Sequence, residues 1–87
     1  MVHVRASETA IVTMEINEKR FDMEIPTFMK VEKLKEKLLE TLKVMFPASF
    51  LEVFQIKVIY ENDMLEDNDT LASRGIWDGA ILSVIII

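Results

Sequence analysis

The chain has 87 residues, 10 basic and 15 acidic side chains, a formal net charge of −5, no Cys and one His. That length holds one domain and no second core. The composition excludes disulfides, thiolate chemistry and Cys-ligated zinc. It leaves His-based catalysis almost without material beyond His3 and argues against nucleic acid as a partner. Apolar residues reach 51% and mean hydropathy is +0.23. For so small a domain this means a dense core or apolar surface left for a partner.

Residues 1–8 are expected to form a poorly ordered extension ahead of a single domain over residues 9–87. They lack the long apolar run of a signal peptide. The longest apolar stretch, Ala80 to Ile87, is broken by Ser83 and falls far short of the ~20 residues that span a bilayer. The expectation is a cytoplasmic protein without direct membrane insertion. On that expectation, the glycosylation-type triplet Asn68-Asp69-Thr70 is discounted.

From Ala10 to Asn17, Val12, Met14 and Ile16 alternate with Thr13, Glu15 and Asn17. From Phe21 to Ile25, Phe21, Met23 and Ile25 alternate with Asp22 and Glu24. Period two predicts half-buried strands, joined by a hairpin turn over Asn17-Glu18-Lys19-Arg20. Pro26 ends the second. From about Lys30 to Met45 the period changes. Val31, Leu34, Leu38, Leu42 and Met45 form one stripe of an amphipathic helix. Glu32 with Lys35, and Glu40 with Lys43, stand at ion-pair spacing on its polar side. Pro47 stops the helix.

Ala48 to Val53 reads as a short connection with room for a helical turn. Phe54 to Tyr60 is a third strand, with Ile56, Val58 and Tyr60 on one face and Lys57 and Ile59 on the other. Glu61-Asn62-Asp63 is a turn, with Asn62 suited to positive φ. Asp69 is placed to cap a short helical turn that Gly75 ends in the left-handed conformation. Trp77-Asp78-Gly79 turns again. Ala80 to Ile87 is the last strand, with Leu82, Val84 and Ile86 on one face and Ile85 and Ile87 on the other.

This order predicts an α+β fold, a mixed four- to five-stranded sheet packed on one main helix, with its second face open to solvent or to a partner. The stretch from Val58 to Val84 resembles ubiquitin: the strand ending Ile59-Tyr60, the Leu65-Glu66-Asp67 turn, Thr70-Leu71, Ile76 and the final apolar strand. The upstream hairpin and helix fit the same β-grasp order. Within that superfamily three features resemble the bacterial YukD/EsaB family. They are the Leu-rich helix through Leu39-Glu40-Thr41-Leu42-Lys43, the ending Arg74-Gly75-Ile76-Trp77-Asp78-Gly79-Ala80-Ile81-Leu82, and the missing tail. The resemblance implies a small cytoplasmic accessory of the type VII secretion system, which exports WXG-type helical-hairpin proteins.

The departures from ubiquitin carry expectations too. Conjugation needs a Gly-Gly terminus, and this sequence stops at Ile87, so a covalent-modifier role ranks third. A docking domain excised from a larger protein ranks second. Positions of the main chain-linking lysines of ubiquitin fall at Asp63 and Asp78. Lys19, Lys35 and Lys37 match ubiquitin lysines but read as solubilising charges. Of ubiquitin's apolar patch, Ile59 and Ile85 match two members. The third would lie in the polar Asn17–Arg20 turn.

The candidate protein-binding residues are therefore Ile59, Ile85 and Ile87, with Lys57 at the border and Trp77 as a further contact anchor. Trp77 has a competing place against the core beside Ile76. Scattered exposed isoleucines on a sheet are also common. Phe46, Phe50, Leu51 and Phe54 are expected to close the open end of the core. Glu61, Asp63, Glu66, Asp67 and Asp69 lack a calcium-loop pattern and read as a solvated rim. Lys30, Lys33, Lys35, Lys37 and Lys43 interleave with acids and read as a solvated helix face. Ser7, Ser49, Ser73 and Ser83 have no catalytic partner at a telling spacing, and Gly75 and Gly79 do not make a phosphate loop. No enzyme activity, metal or cofactor is expected. The expected partner is a protein, and the chain itself a monomer or weak homodimer.

Overall fold

A computed structural model describes residues 8–87, so the expected disorder of residues 1–8 falls, but for Glu8, outside the described residues. Strand β1 (Thr9–Ile16) pairs antiparallel with β2 (Lys19–Pro26), from Thr9 opposite Pro26 to Ile16 opposite Lys19. The turn is therefore Asn17-Glu18 alone. Both residues take positive φ, 48° and 67°, as a primed two-residue hairpin requires. Lys19 and Arg20, expected in the turn, belong to β2. They look like turn residues because the solvent side of an edge strand is polar.

Helix α1 spans Val31–Met45 and buries Val31, Leu34, Leu38 and Leu42; Met45, expected on the same stripe, is 44% exposed because it lies at the helix end. Its N-cap, Lys30, offers no side-chain hydrogen bond. Instead the Val31 N–H donates to the Asp69 carbonyl at 2.8 Å and the Glu32 N–H to the Asp67 carbonyl at 3.1 Å. A loop distant in sequence thus satisfies amides that every helix start leaves open. The expected Glu32–Lys35 pairing gives way to Lys35–Asp67 at 2.7 Å, which ties the same loop to the helix. Phe46, at φ −136°, ends α1 before Pro47.

A short helix α2 (Pro47–Phe50) follows, and it turns Phe50 into the core. Phe46 packs half-buried against that core. Leu51 and Phe54 do not: they are 67% and 78% exposed, which corrects the expectation that all four close the core. The helical turn, started by Pro47 at its first position, presents one aromatic inward and sends the following residues out.

Strand β3 (Ile56–Tyr60) is shorter than expected and makes a hairpin with the two-residue β4 (Asp63–Met64). Glu61 and Asn62 both have positive φ, 50° and 72°. Asp69 does not cap the following 3₁₀ turn (Ala72–Arg74). Its carboxylate accepts the Glu66 N–H at 2.8 Å and an Arg74 N–H at 2.8 Å. The Glu66 amide bond holds the Asp69 carboxyl below its ordinary value of 3.8; partial desolvation opposes this, and Arg74 adds to the lowering. The turn start is held by Thr70 and Ser73, each amide donating to the other's hydroxyl at 2.9 Å. Gly75 ends it at φ 68°.

Strand β5 (Ile81–Ile86) enters between β1 and β3, parallel to the first and antiparallel to the second, and completes a five-stranded sheet of order β2-β1-β5-β3-β4. Val12, Met14, Ile16, Val58, Leu82 and Ile76 close with the α1 stripe into one core on the inner face. The expected inner residue Ile86 is 37% exposed, because it lies at the strand's end.

Candidate functional site

With α1 on the inner face, the outer face consists of the other side chains of each strand. The ladder registers fix its rows. One row reads Arg20, Glu15, Ser83, Ile59, Met64 from edge to edge. Lys57 stands opposite Ile85, and Thr13 beside Ile81. Because Ile59 faces Ser83, it lies diagonal to both Ile81 and Ile85 on β5, within reach of long side chains at about 7–8 Å.

The predicted residues Ile59, Ile85 and Lys57 are thus direct neighbours. Ile87 continues the same alternation, and its N–H donates to the Gln55 carbonyl at 3.2 Å. Ile59 is half-buried by its neighbours, while Ile81, Ile85 and Met64 each expose almost half of their surface and Ile87 more. Ile81 and Met64 extend the cluster beyond the residues singled out from sequence. Ile81 obeys the alternation already used for Ile85. Met64 carried no periodic signal, because its strand is two residues long.

Trp77 is 44% exposed and lies in the turn ahead of β5, four residues before Ile81. It precedes Asp78 and Gly79, which grip the start of β1: the Ile11 N–H donates to Asp78 Oδ1 at 2.7 Å and the Gly79 N–H to the Ile11 carbonyl at 2.9 Å. Trp77 therefore marks the opposite end of β5 from Ile87, roughly 20 Å away at the rise of an extended strand. Exposed Ile11 shares that corner.

The chemistry available here is apolar contact with a charged fringe. Among the described residues no group of His, Asp and Glu side chains is arranged to hold a metal, and no helix is long and apolar enough to cross a membrane.

The family model described as "WXG100 protein secretion system (Wss), protein YukD" matches residues 9–84. No curated protein sequence matches the chain. Among solved structures, the fold is similar to the EccD5 ubiquitin-like domain from Mycobacterium xenopi, at TM-score 0.79 and 14% identity over 93% of this chain and 97% of that one. It is similar to a chain of the MycP5-free ESX-5 inner membrane complex, at TM-score 0.78 and 15% identity, covering 93% of this chain and 21% of that one. It is also similar to the ubiquitin of Caldiarchaeum subterraneum, at TM-score 0.69 and 18% identity over 91% and 94% of the two chains. These likenesses show the ubiquitin-like β-grasp fold.

Proposed function

Because the chain belongs to the YukD family of the WXG100 protein secretion system, we propose that it is a non-catalytic, non-covalent interaction module of a bacterial type VII secretion machine, acting in the cytoplasm. The outer sheet face around Ile59, Ile85 and Ile87 is its docking surface, bordered by Lys57, with Trp77 as an outlying anchor. The observation that carries this reading is the cluster of apolar neighbours Ile81, Ile59, Ile85 and Met64 on a face that no element of the described fold covers. A contiguous apolar patch at the centre of a sheet gains free energy when a partner removes it from water.

The test is affinity capture from the native host, wild type beside the Ile59→Glu/Ile85→Glu double variant, with and without ATP, read by mass spectrometry. A secretion-membrane component captured by wild type alone supports the reading, provided the variant keeps a dispersed amide spectrum. Identical captures remove the sheet face as the site. ATP-dependent covalent attachment to host proteins replaces the reading with that of a modifier. A second reading, a docking domain within a larger protein, is favoured by one observation: in the ESX-5 complex a similar fold occupies 21% of a longer chain. The length of the natural gene decides between them.

A further inference from the structure

A second surface lies behind the β3–β4 edge, on the helix side of the sheet. An open groove of about 950 Å³ runs between α1 and the segment from Met64 to Asp69. Leu39, Ile56 and Leu65 give it an apolar floor, and Phe54, Met64 and Ile87 stand exposed among the residues that line it. Its charged lining is mainly acidic. Asp67 is already matched by Lys35, and Asp69 by Arg74. Among the described residues no ion pair involves Glu32 or Glu66, and Glu36 meets only Lys33, at 3.7 Å. The cations in the lining are Lys35, taken by Asp67, and Lys57. The Phe54 ring already accepts an ammonium group, with Lys43 Nζ 5.1 Å from its centroid.

These features select a ligand by charge and by shape. An acidic segment would meet Glu32, Glu36 and Glu66 as like charges. A wholly apolar one would desolvate those carboxylates with nothing to pair them. A purely basic one would leave Phe54 and the Leu39–Leu65 floor unused. We infer that the groove binds a basic polypeptide segment of a partner protein, with an apolar side chain against Phe54 and the floor and flanking Lys or Arg side chains at Glu32, Glu36 and Glu66. The net charge of −5 steers such a segment inward and makes its association fall with salt. The groove shares Lys57, Met64 and Ile87 with the rim of the outer face, but Ile59, Ile81 and Ile85, the centre of that face, do not line it.

The experiment is an amide-resolved NMR titration of the full chain with a short capped peptide alternating lysine and leucine. A lysine–serine and a glutamate–leucine peptide serve as controls. The expected result is shift changes centred on Leu39, Phe54, Leu65 and Glu66 for the lysine–leucine peptide alone, weakening as salt rises. Phe54→Ala and Glu66→Lys should each weaken binding about tenfold, the scale of losing one anchor. Both side chains are exposed, so these variants keep the fold, and their own spectra verify it. Equal response to either control peptide, shifts confined to Ile59, Ile81 and Ile85, or no shifts at millimolar peptide overturns the inference. The Ile59→Glu/Ile85→Glu variant should bind the peptide normally, so the groove and the sheet face stand or fall separately.

Discussion

The two halves of the outer sheet face have opposite character. On β1 and β2 the polar side chains satisfy one another. Thr9 Oγ1 donates to Glu24 and Thr13 Oγ1 to Asp22, each at 2.8 Å, and Arg20 Nε donates to Glu15 at 2.7 Å. On β5, β3 and β4 the corresponding positions are mainly Ile81, Ile85, Ile59 and Met64, which have no polar group to satisfy, with Ser83 and Lys57 the polar members. Ile11, at the Trp77 corner, is the apolar exception in the first half. A partner covering the polar half would have to desolvate completed hydrogen bonds for little net return. Covering the apolar half gains about 25 cal/mol for each Å² of apolar surface removed from water. The contrast also protects the fold: charges along the edge strand β2 discourage strand addition there, and the apolar rows lie mainly on the inner strands.

This contrast can be broken from beneath or tested on each half. Leu82→Ala, in the inner layer, should cost about 2–5 kcal/mol of stability, seen as an earlier denaturant midpoint, and should disturb both halves together. Ile81→Glu, one residue away but facing out, should change stability by less than about 1 kcal/mol while weakening capture of the partner at least about tenfold. If Ile81→Glu leaves capture unchanged, the apolar half is not the docking surface. Arg20→Ala removes an exposed pair and should cost no more than about 1 kcal/mol, with capture unaffected. A loss of capture there would move the site onto the polar half.

Asp69, outside both halves, provides a pH test. Its folded-state value lies below its ordinary one, so its contribution is complete above the ordinary value and is lost as pH falls through the lowered one. The melting-temperature gap between wild type and Asp69→Asn should therefore be widest near neutrality and close in acid. A gap that stays constant with pH would show that the carboxylate charge is not what holds the loop.

The inner layer was readable from period alone. Val12, Met14 and Ile16, the α1 stripe from Val31 to Leu42, and Leu82 with Val84 are all buried, because each pattern runs long enough to name both its element and its face. What stayed hidden depends on partners distant in sequence. Met64 enters the site only through its pairing with Ile59. Ile81 follows the same alternation as Ile85, but its place beside Ile59 needs the register that sets Ile59 against Ser83, which no local pattern encodes. Asp69 has the composition of a helix cap, yet its carboxylate goes to Glu66 and Arg74. The Phe-rich connection misled for a related reason. Composition marks Phe50 and Phe54 alike, and only the turn made by α2 separates the buried ring from the exposed one.

The middle of the sheet joins the first and last strands of the described fold. Strands β1 and β5 lie side by side, and the bond from the Ile11 amide to the Asp78 carboxylate spans 67 residues. Such closure is entropically late and slow compared with forming either hairpin or the helix. During synthesis, the β1–β2 hairpin and α1 leave the ribosome with the inner side of β1 lacking its β5 neighbour, and the gap between β1 and β3 fills only when the final strand arrives. Folding of this domain is therefore expected to wait for β5 and to be all-or-none. Nascent chains stalled before Ile81 should remain protease-sensitive however long they wait, and resistance should appear in one step once β5 clears the exit tunnel.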